Sequence, residues 1–153
     1  MAEKAKGRTT IRIAAILLLA SAVFEIMEFN SAVALFGDVR TGAVSVVYHF
    51  VFVALYFLSG IGLWTGKPWG YWAIMATTAI YTLDKVQLIL FPDAFYDHIL
   101  HQLTVTREMV GMIPRDQLLF YFMIAYAALV LCWWGFAFYI HLRRHYFQQK
   151  PAP

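Results

Sequence analysis

VSVVYHFVFVALYFLSGIGLWTGKPWGYW, residues 44–72, is the stretch that decides the fold. From Val44 to Trp64 it holds no Asp, Glu, Lys or Arg. A helix needs about 20 mostly apolar residues to cross a hydrocarbon core of about 30 Å, and this run meets that length. Apolar and polar residues do not alternate along it, so a membrane strand is a poor reading and a helix a good one. Gly66-Lys67-Pro68-Trp69-Gly70 then turns the chain. Glycine ends helices and proline suits the first turn of the next one. A link so short makes its two flanking helices antiparallel neighbours.

Outward from this stretch, three more runs have the length to span: Ile11–Phe36, Trp69–Phe91 and Gln117–Ile140. The 153 residues are 61% hydrophobic and 14% charged. A soluble domain has about 45–50% and about 25%. These proportions exclude a soluble enzyme, a disordered tail and a nucleic-acid module. Cys132 is the only cysteine, which excludes a disulfide scaffold. The expected class is all-α: a single polytopic domain over 1–153, an antiparallel bundle of four transmembrane helices at about 11–36, 44–64, 69–91 and 117–140.

Orientation follows from basic residues near the span ends. Lys4, Lys6, Arg8, Arg12, Lys67, Arg143, Arg144 and Lys150 fall on one side, and Arg40, Arg107 and Arg115 on the other. The majority side is expected to be cytoplasmic and to carry both termini, in a bacterial cytoplasmic membrane. Trp64, Lys67, Trp69, Trp72, His141, Arg143 and Arg144 are candidate contacts to lipid headgroups. The basic start, the apolar run after it and Ala20-Ser21-Ala22 imitate a secretory leader. The apolar pattern continues well past that point, which favours an uncleaved anchor.

The link between the third and fourth spans, Pro92–Asp116, is long for an idle connection. From 93 to 110 it reads as an amphipathic interfacial helix. Asp93, Asp97 and His101 share one face, and Phe95, Ile99, Leu103 and Val105 or Thr106 mark the other.

Each span also carries a stripe of polar or small residues, the best candidates for a bundle interior. These are Ser21, Glu25, Glu28 and Ala32 in the first, and Ser45, His49, Tyr56 and Ser59 in the second. The third has Thr77, Thr78, Tyr81, Asp84 and Lys85, and the fourth Tyr121, Ala125, Ala128, Cys132 and Gly135. At about 1.5 Å of rise per residue, Glu25, His49, Asp84 and Tyr121 reach one level in the outer half of the membrane. The expected intramembrane polar cluster is therefore Glu25, Glu28, His49, Tyr81, Asp84, Lys85 and Tyr121. Charges in the hydrocarbon cost about 2.5–3.5 kcal/mol each on insertion scales, so they mark pairing or function. Asp84 and Lys85 are adjacent and point about 100° apart, so a bridge from Glu25 or Glu28 to Lys85 is the expected structural pair. Three carboxylates then face one lysine. A protonated carboxyl, a bound cation or a partner's positive group would settle the balance.

Glu25, Glu28, His49 and Asp84, with His98 and His101 from the loop helix, are the ligand types for a divalent metal, although their spacing matches no known signature. An intrachain bis-histidine haem is not expected, because His49 and His141 lie at opposite ends of their helices. Cys132 reads as an inert core thiol.

Residues 60–72, GIGLWTGKPWGYW, resemble a pattern in small four-helix bacterial integral membrane proteins of unknown function, in which a GLWxGKxWG turn joins helices 2 and 3. The resemblance implies topology and transfers no catalytic residue. With no catalytic signature in the chain, the leading expectation is a non-enzymatic membrane subunit or accessory protein, packed into a larger complex or a homo-oligomer, with membrane lipids around it and no nucleic-acid partner. The alternative is a small-ligand or metal site in the outer half, serving a metal-dependent membrane enzyme or an ion or proton carrier, built on Glu25, Glu28, His49, Asp84 and Lys85.

Overall fold

The computed structural model describes residues 7–102 and 113–148. Its elements, in order, are α1 (Arg8–Met27), β1 (Val33–Leu35), β2 (Asp38–Arg40), α2 (Ala43–Thr65), α3 (Pro68–Leu90), α4 (Pro92–Gln102), α5 (Arg115–Leu142) and a 3-10 turn (Arg144–Gln148). Four helices, α1, α2, α3 and α5, are long and apolar enough to cross a membrane. At about 1.5 Å per residue even the shortest, α1 with 20 residues, covers about 30 Å.

α1 is shorter than its apolar run. The helix stops at Met27 instead of continuing to Phe36, and Val33–Leu35 pairs antiparallel with Asp38–Arg40. Val33, Ala34 and Leu35 are apolar enough to prolong a hydropathy window, but the chain leaves the helix at Glu28, turns through Ser31, and makes a tight hairpin at Phe36-Gly37. Both turn residues have positive φ, 49° and 89°, as a two-residue hairpin loop of this hand requires. Gln87 of α3 holds the unusual Phe36 conformation. Its Oε1 accepts from Phe36 N at 2.7 Å and its Nε2 donates to Ala34 O at 3.1 Å. The loop helix α4 covers the first part of the expected 93–110 helix, with Phe95 and Ile99 buried and Asp93, Asp97 and His101 exposed. Leu103, Val105 and Thr106 lie outside the described residues.

Helices in lipid gain nothing from leaving it for each other, so close packing and hydrogen bonds must hold them. α1 meets α2 where Ala15 approaches Gly60; a Cβ at Gly60 would strike Leu19 and the Ala15 carbonyl. α2 and α3 are pinched together at the turn. Gly66 (φ 64°) ends α2, Pro68 opens α3, and a Cβ on Gly62 or Gly70 would strike the other's backbone. Further along, Ser59 Oγ and Thr77 Oγ1 hydrogen-bond at 2.9 Å. α5 packs mainly on α3. Trp133 lies against Tyr56 and Tyr81, and Trp134 Nε1 donates to Thr82 Oγ1 at 3.0 Å.

The face of α5 differs from expectation. Tyr121, Ala125, Ala128, Cys132 and Gly135 are exposed, so Cys132 is no core thiol. Leu118, Leu119, Ala137 and Ile140 are the buried side, with Tyr126, Val130 and Trp133 half-buried along it. α5 is apolar all round, so its composition cannot tell a lipid face from a packed one.

Candidate functional site: a polar cavity among the helix ends

Glu25 sits in the last turn of α1 and Glu28 just past it. His49 lies near the start of α2, Asp84 and Lys85 near the end of α3, and His98 in the middle of α4. Together with Tyr48 and Tyr126 they line a cavity of about 100 Å³. A volume of this size has room for several water molecules or one small polar group.

The charges divide into two pairs. His49 Nδ1 lies 2.7 Å from Glu25 Oε2. Lys85 Nζ lies 2.8 Å from Asp84 Oδ2, an ion contact without the alignment of a hydrogen bond. The expected bridge from Glu25 or Glu28 to Lys85 is thus replaced: the lysine stem is flexible enough to fold back on its neighbour, and Glu25 finds the imidazole. Lys85 is also held over the rings of Tyr126 and Tyr81, at 4.9 and 5.3 Å. Tyr48 Oη donates to Asp84 Oδ1 at 2.9 Å, and Gln87 Nε2 to the same oxygen at 3.2 Å. Glu28 lines the cavity and is exposed at its edge. The division pairs Asp84 with Lys85 and sets Glu25 against the His49 ring, and the cavity keeps three carboxylates over one lysine.

His49 is only 4% exposed, yet its Nε2 has no hydrogen-bond partner among the described residues. With the Nδ1 proton facing Glu25, Nε2 is left as a lone-pair acceptor. This is the arrangement in which a carboxylate orients an imidazole to accept a proton or a donated hydrogen bond.

Of the expected cluster, Glu25, Glu28, His49, Asp84 and Lys85 come together, and Tyr81 joins through its contact with Lys85. Tyr121 does not: it is 61% exposed, and Tyr126 takes the place expected for it. Tyr48 and Gln87 were not expected; their signal was their spacing from His49 and Asp84 in residues whose polar groups need partners. Among the described residues no group of three or more His, Cys, Asp or Glu is placed to hold a metal ion. The proposed ligands are otherwise engaged or dispersed: Glu25 and His49 satisfy each other, Asp84 takes Tyr48, Gln87 and Lys85, and Glu28 and His101 are exposed. At the opposite end, the interface candidates are partly tied to each other. Tyr71 Oη meets His141 Nδ1 at 2.9 Å, and Arg12 lies over Trp64.

His98 is 8% exposed, and its Nδ1 has no partner among the described residues. Burial first, and then the positive Lys85, push its pKa down from 6.5 to about 4. The unfolded chain therefore takes up this proton before the folded one. The stability linked to neutral His98 is complete above about pH 6.5 and is lost as the pH falls from there toward 4. Thermal melts in detergent between pH 7 and 4 should show a loss on the order of 3 kcal/mol in the native chain that is missing from His98→Gln. Parallel curves for the two proteins would refute this assignment.

Comparison with protein-family models, with curated proteins and with solved structures gives no match.

Proposed function

We propose that this chain is an integral membrane protein, an antiparallel four-helix bundle with both ends cytoplasmic, whose outer cavity binds a small hydrogen-bond-donating group and accepts its hydrogen bond at His49. The observation that carries this reading is His49 itself: a buried imidazole, oriented by Glu25, with Nε2 unpartnered beside a polar cavity. A buried structural imidazole would ordinarily have both nitrogens satisfied. Asp84–Lys85 provides a fixed dipole on the facing wall and Glu28 a negative rim. The test is nitrogen NMR of histidine-labelled protein in lipid nanodiscs, with 4-nitrophenol as the probe. The His49 Nε2 signal, assigned through His49→Gln, should shift saturably, and Glu25→Gln should weaken the effect about tenfold. The reading fails if His49 moves no more than the exposed His145.

A second reading, a non-enzymatic subunit packed into a homo-oligomer or larger complex, is supported by the outward face of α5. Ala125, Ala128, Cys132 and Gly135 are exposed at helical spacing, and among the described residues a Cβ at Gly135 would meet nothing beyond its own helix. Small residues let a second helix approach closely. Because Cys132 is the sole thiol, mild oxidation in native membranes should give a disulfide-linked dimer, reduced by Gly135→Leu and abolished by Cys132→Ser. An exclusively monomeric product would remove the homodimer version.

A further inference from the structure

Beside the polar cavity lies a second, larger hollow. It is an open groove of about 790 Å³ between α2 and α3. Val47 and Val51 form one wall, Leu83 and Val86 the other, and the hairpin turn at Phe36 and the end of α3 at Phe91 bound it. Its α3 wall runs from Ile80 to Leu90. That is about 15 Å at helical rise, the depth of one leaflet. Tyr48 and Asp84 line both the groove and the cavity. The two residues shared by apolar groove and polar cavity are thus joined to each other by a hydrogen bond 2.9 Å long.

We propose that groove and cavity are the two halves of one site for a single-chain lipid alcohol, the chain lying in the groove and the hydroxyl reaching past Tyr48 and Asp84 to His49. The inference rests on the cavity reading given above and names its ligand class. Charge decides the head. Glu25, Glu28 and Asp84 outnumber Lys85, so an anionic head is repelled. An ammonium head would have to pass along an apolar wall as an ion, which costs several kcal/mol. A hydroxyl is neutral, donates one hydrogen bond and accepts others. It can donate a hydrogen bond to His49 Nε2 and receive one from Tyr48, whose phenol then exchanges one oxygen partner for another. The length and apolarity of the groove suit one chain, and its open side faces where lipid would lie.

The experiment uses full-length protein in nanodiscs and hexadecanol carrying a diazirine in its chain. Photolabelling should concentrate on peptides from 44–52 and 80–91. Unlabelled hexadecanol should compete about tenfold better than palmitic acid, hexadecylamine or hexadecane. Leu83→Trp, a change at a lipid-exposed position that fills the groove, should cut labelling about tenfold, whereas Leu131→Trp on α5 should not. His49→Leu should keep the groove labelled but abolish the preference for hexadecanol over hexadecane. Labelling spread evenly over all lipid-facing helices overturns the proposal, as does competition by the acid, amine or alkane equal to that by the alcohol. If only the head preference is missing while His49 still responds to 4-nitrophenol, the lipid site is wrong and the cavity reading survives. If His49 responds to neither probe, both fall.

Discussion

Asp84→Leu will destabilise the folded chain by about 3–5 kcal/mol, the cost of leaving one member of a buried ion pair behind. The loss has three parts. Lys85 keeps its place over Tyr81 and Tyr126 but loses the carboxylate of Asp84, its ion-pair partner. Tyr48 and Gln87 each lose an acceptor. A group buried without its partner costs about 1–3 kcal/mol. The diagnostic comparison is the double variant Asp84→Leu/Lys85→Met, which removes the stranded charge and should recover more than half of the loss. The remainder belongs to Tyr48 and Gln87 and should shrink again when Tyr48→Phe is added. Reversible unfolding in mixed micelles would measure all three. A single-variant loss below about 1 kcal/mol would put the pair in the class of solvated surface bridges and remove it from the energetics of the site.

The second large effect is expected at the other end of the same helix pair. Gly70→Leu should cost about 3 kcal/mol, the upper range for forcing volume into a packed interior, and Gly70→Ala a substantial part of that. The reason is specific. An added Cβ meets the Cα, carbonyl carbon and oxygen of Gly62, which are backbone atoms and cannot rotate away. The α2–α3 approach would have to widen, and the Ser59–Thr77 hydrogen bond further along would stretch with it. Gly135→Leu makes the matching control within one chain. Among the described residues nothing beyond its own helix lies within 4 Å of the added Cβ, so its effect on monomer stability should stay within about 0.5 kcal/mol. Equal losses at the two positions would contradict the close packing of the turn.

The parts of this fold legible in the sequence are those where one residue type meets one backbone need. Gly66 and Pro68 announced their turn because a left-handed cap and a first helical turn have few other solutions. The meeting of Glu25, His49 and Asp84 was legible for a different reason: helical rise is fixed, so depth can be counted from the ends of each span. Azimuth could not be counted in the same way. Tyr126 and not Tyr121 faces Lys85 because α5 is apolar on every side, and lipid is as good a solvent for leucine as the protein interior is. Pair selection was also beyond reach. Asp84–Lys85 forms through the bend of a long side chain, which sequence spacing does not encode. The hairpin was hidden because Val33, Ala34 and Leu35 satisfy a hydropathy window in either conformation.

The α2–α3 pair also has a mechanical consequence. The helices are clamped at Gly62 and Gly70 and hollow between their far ends, like the two arms of a tweezer. Leverage follows from length. A change of about 5° at the clamp moves the far end of a 30 Å arm by about 3 Å, close to the width of a hydroxyl and its hydrogen bond. The hairpin is fastened to the α3 arm through Gln87 and would travel with it. A small adjustment at the α2–α3 turn can therefore set how wide the distant gap stands, without any helix having to bend.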